Sequence, residues 1–386
     1  MEPSARGPRL RIGLDGRVLD GGFPGIGRYT ANLARALREV APQSDLTLVT
    51  GPEAVRRTAL SAPWPKGWTR IGIDSRPGAL REGARLRRLT CLRRLSLFHS
   101  TYFRCASRLP CPLVVSIHDV IPHRLWTRPG KLPTRFLYEL AIRRALRRAS
   151  IILTGSQAAK RDLVSAYSVA DDKVVVTPYA ADPNLRPASA AAVAELRRRL
   201  DLGVRYCLTV GSSRPHKNLE RLVAAWTEVV AVCGDDLRLV IAGPDDRWSA
   251  VARREADRRS LRSVRFVGEV DEADLAALYT GALVCVQPSL AEGFGLCVLE
   301  AMACGSPVAC SDIEAHREVG RDAVARFDPK RPDAIAATIV DLVHDADRRS
   351  VLADEGRLRA AGFSWLDTAR ATLEAYRAVS LPGGVA

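Results

Sequence analysis

The segment Glu292-Gly-Phe-Gly-Leu-Cys-Val-Leu-Glu300 sets two carboxylates eight residues apart with glycines between them. Just upstream, Ala282-Leu-Val-Cys-Val-Gln-Pro288 reads as a buried strand ended by Pro288. Just downstream, Cys297 to Ala303 is rich in Ala, Leu and Met and reads as a helix. The glycines therefore fall where a strand turns into a helix, and the helix is expected to start near Gly293. Backbone N–H groups exposed at such a start hold anions such as phosphate. Glu292 stands before the turn, beside the bound group. Glu300 is expected about two turns into the helix. One carboxylate would then touch a sugar while the other accepts two ribose hydroxyls. The plainer reading is an acidic surface residue, a glycine turn and a glutamate on a helix face. The glycines and the following Glu300-Ala-Met-Ala-Cys-Gly-Ser-Pro-Val308 favour the ligand reading.

The elements needed to hold such a site are legible on both sides of it. The chain has 386 residues, room for two domains with full cores. Hydrophobic residues make up 47% and charged residues 26%, which fits a globular protein and excludes a disordered one. Arg9-Leu-Arg-Ile-Gly-Leu-Asp15 reads as a first strand, Gly16 to Gly27 as a glycine-rich loop and Tyr29 to Val40 as an amphipathic helix. Further strands are expected at 46–50, 97–100, 113–118, 151–154 and 173–178. From Ala181 to Gly203 the composition turns to Pro, Ala and Arg with no strand pattern. A second series follows, with strands at 205–211, 237–243, 264–268, 283–286 and 307–310. The expectation is an α/β chain of two Rossmann-like domains facing a central cleft: 1–182, a linker at 183–203, 204–365, and a final helix at 366–386 crossing back to the first domain.

Charge and cysteine usage narrow the setting. The net charge is +15, carried mostly by arginine. Arg81, Arg85, Arg87, Arg88, Arg93 and Arg94 crowd one amphipathic stretch, and Arg143, Arg144, Arg147 and Arg148 another. Such faces suit an anionic membrane surface or acceptor, or are simply solvated. No helix-turn-helix, zinc or RNP pattern points to nucleic acid. The nine cysteines show no C-x-x-C pair, and no apolar run approaches a membrane span. Met1 to Arg11 lacks the apolar core of a secretory signal. The expected setting is the cytoplasm, with peripheral association at the inner membrane face as an option.

The Glu292-to-Glu300 pattern resembles the E-x7-E signature of retaining glycosyltransferases of family 4, which have the GT-B fold. The similarity runs through nearly the whole chain. Tyr206-Cys-Leu-Thr-Val-Gly-Ser-Ser-Arg-Pro-His-Lys-Asn-Leu219 resembles the strand, loop and helix that hold the donor diphosphate, and Lys217 matches the phosphate-binding lysine. Many members carry an arginine where this chain has Ser212, leaving Arg214 or His216 to supply a second donor. Asp15-Gly-Arg17 with Gly25-Ile-Gly-Arg-Tyr29, and Ile117-His-Asp-Val-Ile-Pro122, are similar to the subset of bacterial polysaccharide mannosyltransferases. Phe363-Ser-Trp365 resembles the segment that leads into the crossing helix.

The resemblance implies a role for each matched residue. Lys217 neutralises the leaving diphosphate, Glu292 positions the transferred sugar and His118 contacts it. Gly25, Gly27 and Arg214 belong to the donor side, as do Gly293, Phe294, Gly295 and Leu296. The backbone of Val270 borders the base, and Glu300 holds the ribose. The implied activity is retaining transfer of a hexose, mannose from GDP-mannose by preference, to a glycan or lipid-linked acceptor. No metal or other cofactor is implied. The alternatives are transfer from a UDP-sugar to a small molecule, a GT-B-fold sugar-nucleotide epimerase, and a non-catalytic sugar-nucleotide binder. Gly25-x-Gly27 does not make a dinucleotide fingerprint, because Thr30 stands where a third glycine belongs and the strand is too far upstream. Asp345-Ala-Asp347 lies in a charged helical stretch and reads as solvated.

Overall fold

The structure, a computed structural model, describes residues 9–20, 24–51, 66–73, 82–105, 109–125 and 132–380. Arg81, part of the glycine-rich loop at 21–23 and most of the N-terminal stretch read for a signal lie outside these. The chain forms two compact units: Met1–Tyr179 with Trp365–Ala386, and Ala180–Ser364.

The first unit is built on parallel strands β1 (Arg11–Asp15), β2 (Asp45–Thr50), β3 (Thr69–Gly72), β4 (Leu97–Ser100), β5 (Leu113–Ser116), β6 (Ile151–Thr154) and β7 (Val174–Val176), in the order β3-β2-β1-β4-β5-β6-β7. β4 and β5 are buried at every residue, as a sheet covered on both faces requires. Their side chains join Ile142, Ile152 and Leu163 in one core. The order reverses between β1 and β4, so the loops after those strands diverge and leave a crevice at their carboxyl ends.

Two helices of this unit carry the arginine clusters. In Glu82–Arg93, Leu86 and Leu89 are buried while Arg85, Arg87, Arg88 and Arg93 face outward. In Leu132–Arg148, Tyr138, Ile142 and Leu146 are buried while Arg143, Arg144, Arg147 and Arg148 face outward. Leu92, Phe136, Leu137 and Leu140 are also exposed there. Among the described residues, no helix is long and apolar enough to cross a membrane.

The C-terminal helix Trp365–Ser380 belongs to the first unit for a specific reason. Its Tyr376 hydroxyl meets His99 Nδ1 at 2.6 Å, and His99 Nε2 meets Ser116 Oγ at 2.8 Å. Tyr29 completes this buried chain at Ser116 Oγ, 2.8 Å away. Trp365 stacks on Tyr179, with 6.3 Å between ring centroids and 10° between planes. Two residues earlier, Phe363 sits edge-on to Phe294 in the second unit, beneath the Arg359 guanidinium. The Phe-Ser-Trp motif thus anchors one aromatic in each unit.

The second unit holds parallel strands β8 (Arg205–Val210), β9 (Leu237–Ala242), β10 (Val264–Gly268), β11 (Val284–Gln287), β12 (Val308–Ser311) and β13 (Ala325–Phe327), in the order β10-β9-β8-β11-β12-β13. Trp226 is buried at the centre of its core and donates from Nε1 to Ser263 Oγ at 3.0 Å. The order reverses between β8 and β11. The strandless stretch expected as a linker contains a helix, Ala190–Arg199, capped by the Ser189 hydroxyl on Ala192 N. Ala-rich sequence with a serine cap forms a helix without any strand signal. Asp345 caps the helix Ala346–Ala361 through Arg348 N at 2.8 Å, which accounts for that acidic pair.

The strand ends around the β8 crevice are held close by glycine. Gly211 N donates to Ala242 O and Gly243 N to Gly268 O. A Cβ on Gly243 would stand 2.0 Å from the Gly211 carbonyl oxygen. Gly243→Ala must force that backbone apart, so it should destabilise the second unit by at least about 2 kcal/mol. Chemical denaturation of wild type and variant measures this. An unchanged midpoint would show that the loops are not packed as described.

Candidate functional site

The second unit's site forms where the loops after β8 and β11 leave the sheet on either side of the strand reversal. The β8 loop passes Ser212 and Arg214 into a short 3-10 turn, Pro215–Lys217, and then the helix Leu219–Cys233. Asn218 joins the two with φ +61°, a left-handed geometry that asparagine tolerates. Its buried Nδ2 donates to the carbonyls of Pro288 (3.0 Å) and Pro329 (2.8 Å), and Leu290 N donates to His216 O at 2.7 Å. These bonds staple the β8 loop to the β11 loop.

The staple brings Lys217 to Glu292. Lys217 Nζ donates to Glu292 Oε1 at 2.6 Å, with side chains 16% and 13% exposed. Ser289 Oγ donates to the same oxygen at 2.6 Å. Burial alone would push the Glu292 carboxyl up. The charges of Lys217, His316 and His216 and the Lys217 hydrogen bond outweigh it and hold the carboxyl at about 2. Burial pushes His216 down to about 4 and lowers His316 as well. Near neutral pH the cluster is therefore one ion pair flanked by two neutral imidazoles.

The helix after the β11 loop starts at Leu296, with Gly295 as its cap at φ +102°. This corrects the expected start near Gly293: Gly293 and Phe294 belong to the loop, and Glu300 lies just over one turn into the helix. The left-handed cap at Gly295 sets the start, because only glycine takes that conformation without strain. Phe294 is buried against Phe363 and acts in packing through its ring. Glu300 is only 3% exposed and accepts from the Tyr279 hydroxyl at 3.2 Å. Its carboxylate is held in place rather than presented on a surface. Arg214 is exposed. Val270 stands past the end of β10, just before the Asp271 cap of the helix Glu272–Gly281.

His316 was not picked out by sequence reasoning. It sits on the short helix Glu314–Gly320 and is 1% exposed, with Nδ1 at 3.1 Å from the Ser311 carbonyl. Its Cδ2–Nε2 edge faces Gly295, where a Cβ would meet Cδ2 at 3.1 Å and Nε2 at 3.7 Å. Ser289 and Asn218 were likewise missed. A helix-start asparagine was the one available signal.

The first unit places its candidates differently. Gly25 and Gly27 were expected in a loop but stand in the first turn of the helix Pro24–Val40. Proline fits that turn because its missing N–H is not needed there. A Cβ on Gly25 would meet nothing within 4 Å, and one on Gly27 only Val18 O at 3.7 Å, so packing within the unit does not demand glycine at either. His118 donates from Nε2 to Thr101 O (2.9 Å), leaving Nδ1 to accept from the Tyr179 hydroxyl (2.8 Å). Burial holds it down at about 4, so it is neutral near pH 7. Both ring nitrogens are thus engaged within the unit. Thr101 Oγ1 in turn donates to Asp15 O, and Arg17 is taken up by Asp15 and Glu82, each at 2.5 Å.

Chemically, the second unit offers a cation, a charged carboxylate and a helix start, which suits an anion bonded to a polyol. Among the described residues, no group of acidic, His and Cys side chains could hold a metal ion.

Comparison with known proteins agrees with this chemistry. The family profile of glycosyl transferases group 1 matches residues 195–359, and that of Glycosyltransferase Family 4 matches residues 24–185. The O-antigen chain mannosyltransferase B of Escherichia coli is 30% identical over 73% of this chain and 74% of its own. The D-inositol 3-phosphate glycosyltransferase of Kineococcus radiotolerans is 30% identical over 74% of this chain and 72% of its own. The sucrose-phosphate synthase of Thermosynechococcus elongatus superposes with a TM-score of 0.76 over 96% of this chain and 98% of its own, at 23% identity. That last likeness is one of fold, and the fold is GT-B.

The ion pair yields a test of stability. Lys217→Met strands the Glu292 carboxylate, so it should cost about 1–3 kcal/mol, and adding Glu292→Gln should recover part of that. Glu292 has a folded pKa below its ordinary 4.5, so its contribution is full above that value and is lost as pH falls toward about 2. Denaturant melts at neutral and acid pH should show that loss in wild type and its absence in Glu292→Gln. Additive single costs and parallel pH profiles would show that the pair is not coupled.

Proposed function

The chain belongs to the group 1 glycosyltransferases of family 4, and on that premise we propose that it transfers mannose from GDP-mannose, with retention, to a glycan or lipid-linked acceptor. The observation that carries the choice of sugar is the 30% identity to O-antigen chain mannosyltransferase B across most of both chains.

In this reading the second unit holds the donor. Lys217 and the N–H groups at the start of the helix Leu296–Ala303 receive the diphosphate. Glu292, once Lys217 turns to phosphate, accepts hydroxyls of the transferred sugar, and Glu300 takes the ribose. The bond from the anomeric carbon to the phosphate oxygen breaks, and both its electrons leave with the diphosphate. The acceptor hydroxyl bonds the anomeric carbon on the same face and passes its proton to the departing phosphate oxygen. Negative charge on that diphosphate grows toward the transition state, where a preplaced cation is worth most. Lysine and helix amides supply the positive charge, so the reading calls for no metal.

A second reading has its own support. The relative named for D-inositol 3-phosphate is also 30% identical, which favours a small-molecule acceptor, and a UDP-sugar is the donor to test beside it. Incubation with GDP-mannose or UDP-glucose, with nucleoside diphosphate release followed, separates the two. GDP-mannose turnover with an α-linked product from the α-linked donor, seen by proton NMR, is expected. Preference for UDP-glucose would replace the first reading by the second, and an inverted product would remove the same-face mechanism.

For a lipid-linked acceptor, we propose peripheral binding through the arginine faces of the helices Glu82–Arg93 and Leu132–Arg148. Exposed Phe136, Leu137 and Leu140 beside those arginines support this, since they give an anionic surface apolar contacts as well as charge. Each arginine adds up to about 1 kcal/mol near such a surface, fading within a Debye length. Sedimentation with anionic vesicles should be strong at low salt and weak at high salt. Equal binding to neutral vesicles, or none at low salt, would overturn it.

A further inference from the structure

His316 is the buried titratable side chain of the second unit that the mechanism above leaves unused. Its Nδ1 must carry a proton, because its partner, the Ser311 carbonyl, can only accept. Nε2 is then the titrating atom. Among the described residues it makes no hydrogen bond, although the side chain is 1% exposed. The atom has a direction as well: it faces Gly295, the cap of the helix whose first amides point toward incoming anions. The missing Cβ at Gly295 keeps the ring edge open to that end of the helix. A larger residue there would press on Cδ2 at 3.1 Å.

The charges around it define what it would meet. Glu292 and Lys217 act on His316 electrostatically from the two loops, and His216 stands beside the same pair. On its own helix, Glu314 and Arg317 flank it in sequence, and Arg317 is drawn to Asp312. Lys217 and Glu292 cancel, so the cluster without a protonated imidazole carries no net charge to set against a diphosphate. An arriving diphosphate repels the Nε2 lone pair but attracts an Nε2–H. We propose that His316 is a further donor-binding residue, whose Nε2 takes up a proton from solvent when a nucleoside diphosphate binds and donates a charge-assisted hydrogen bond to it. This rests on the donor-site reading of the second unit.

The sign follows directly. His316 is neutral without the anion near pH 7, and the anion favours its protonated form, so affinity falls as pH rises. The test is calorimetric titration of the full chain with GDP, UDP, ADP and dTDP, in buffers of unequal ionisation enthalpy and across neutral pH. His316→Asn keeps a donor for Ser311 and removes the Nε2 end; affinity should fall about ten- to a hundred-fold. His316→Gln places a permanently neutral donor near Nε2; it should bind with less proton uptake than wild type and a flatter pH dependence. His216→Gln removes the other imidazole of the cluster, so proton uptake that persists in it and is lost in the His316 variants belongs to His316. Protonation of the free nucleotide is common to all variants and cancels in the comparison. Thermal melts identify any variant that fails to fold, and the Asn and Gln variants test the idea independently. If both bind within about twofold of wild type with the same proton uptake, the inference is wrong. If wild type binds none of the nucleotides, the donor-site reading itself fails, and the inference with it.

Discussion

The 2.6 Å contact between Lys217 and Glu292 is the interaction on which the second unit's site depends. It joins loops that leave the sheet on opposite sides of the strand reversal, and it holds opposite charges in a nearly buried place. A lone lysine there would oppose the helix dipole beside it, and a lone carboxylate would be stranded in a poor solvent. Together they are stable, and each is a group able to bond more than one partner. Lysine has further donors and the carboxylate further lone pairs, so each can exchange its partner for a ligand group of the same charge. A pair of this kind stores both halves of a recognition site: a cation for phosphate and an acceptor for hydroxyls.

Everything nearby serves to keep that pair in register. Asn218 takes a left-handed conformation in order to reach two carbonyls, those of Pro288 and Pro329. Leu290 N closes the gap to His216 O. Gly211 and Gly243 bring the ends of β8 and β9 within a distance that no side chain would allow. The parallel sheet beneath is covered on both faces, which makes its strand ends rigid supports for loops that carry the chemistry.

Much of this was legible in the sequence, because the informative signals were local. Continuous apolar runs located the inner strands to within one or two residues, and Glu292, Glu300 and Lys217 stood out by type and spacing. What escaped had a physical cause in each case. β3 and β13 are edge strands, one mostly exposed and the other three residues long, and neither leaves an apolar run. The helix at Ala190–Arg199 was hidden by a composition that also suits a linker. Gly25 and Gly27 looked like loop residues because glycine is rare in helices; Pro24 beside them was the better guide. The pairing of Lys217 with Glu292, and the approach of His316 to Gly295, join residues 75 and 21 positions apart (292 − 217 and 316 − 295). Only the fold brings such residues together.

The central claim is that the Lys217–Glu292 pair opens to receive the donor. The most direct measurement is a crystal structure of the full chain with an intact nucleotide sugar or its nucleoside diphosphate. The expected result is Lys217 Nζ within hydrogen-bond distance of a phosphate oxygen, the diphosphate at the amides that start the helix Leu296–Ala303, and Glu292 turned to the sugar. A nucleotide bound elsewhere, with Lys217 still closed on Glu292, would contradict it.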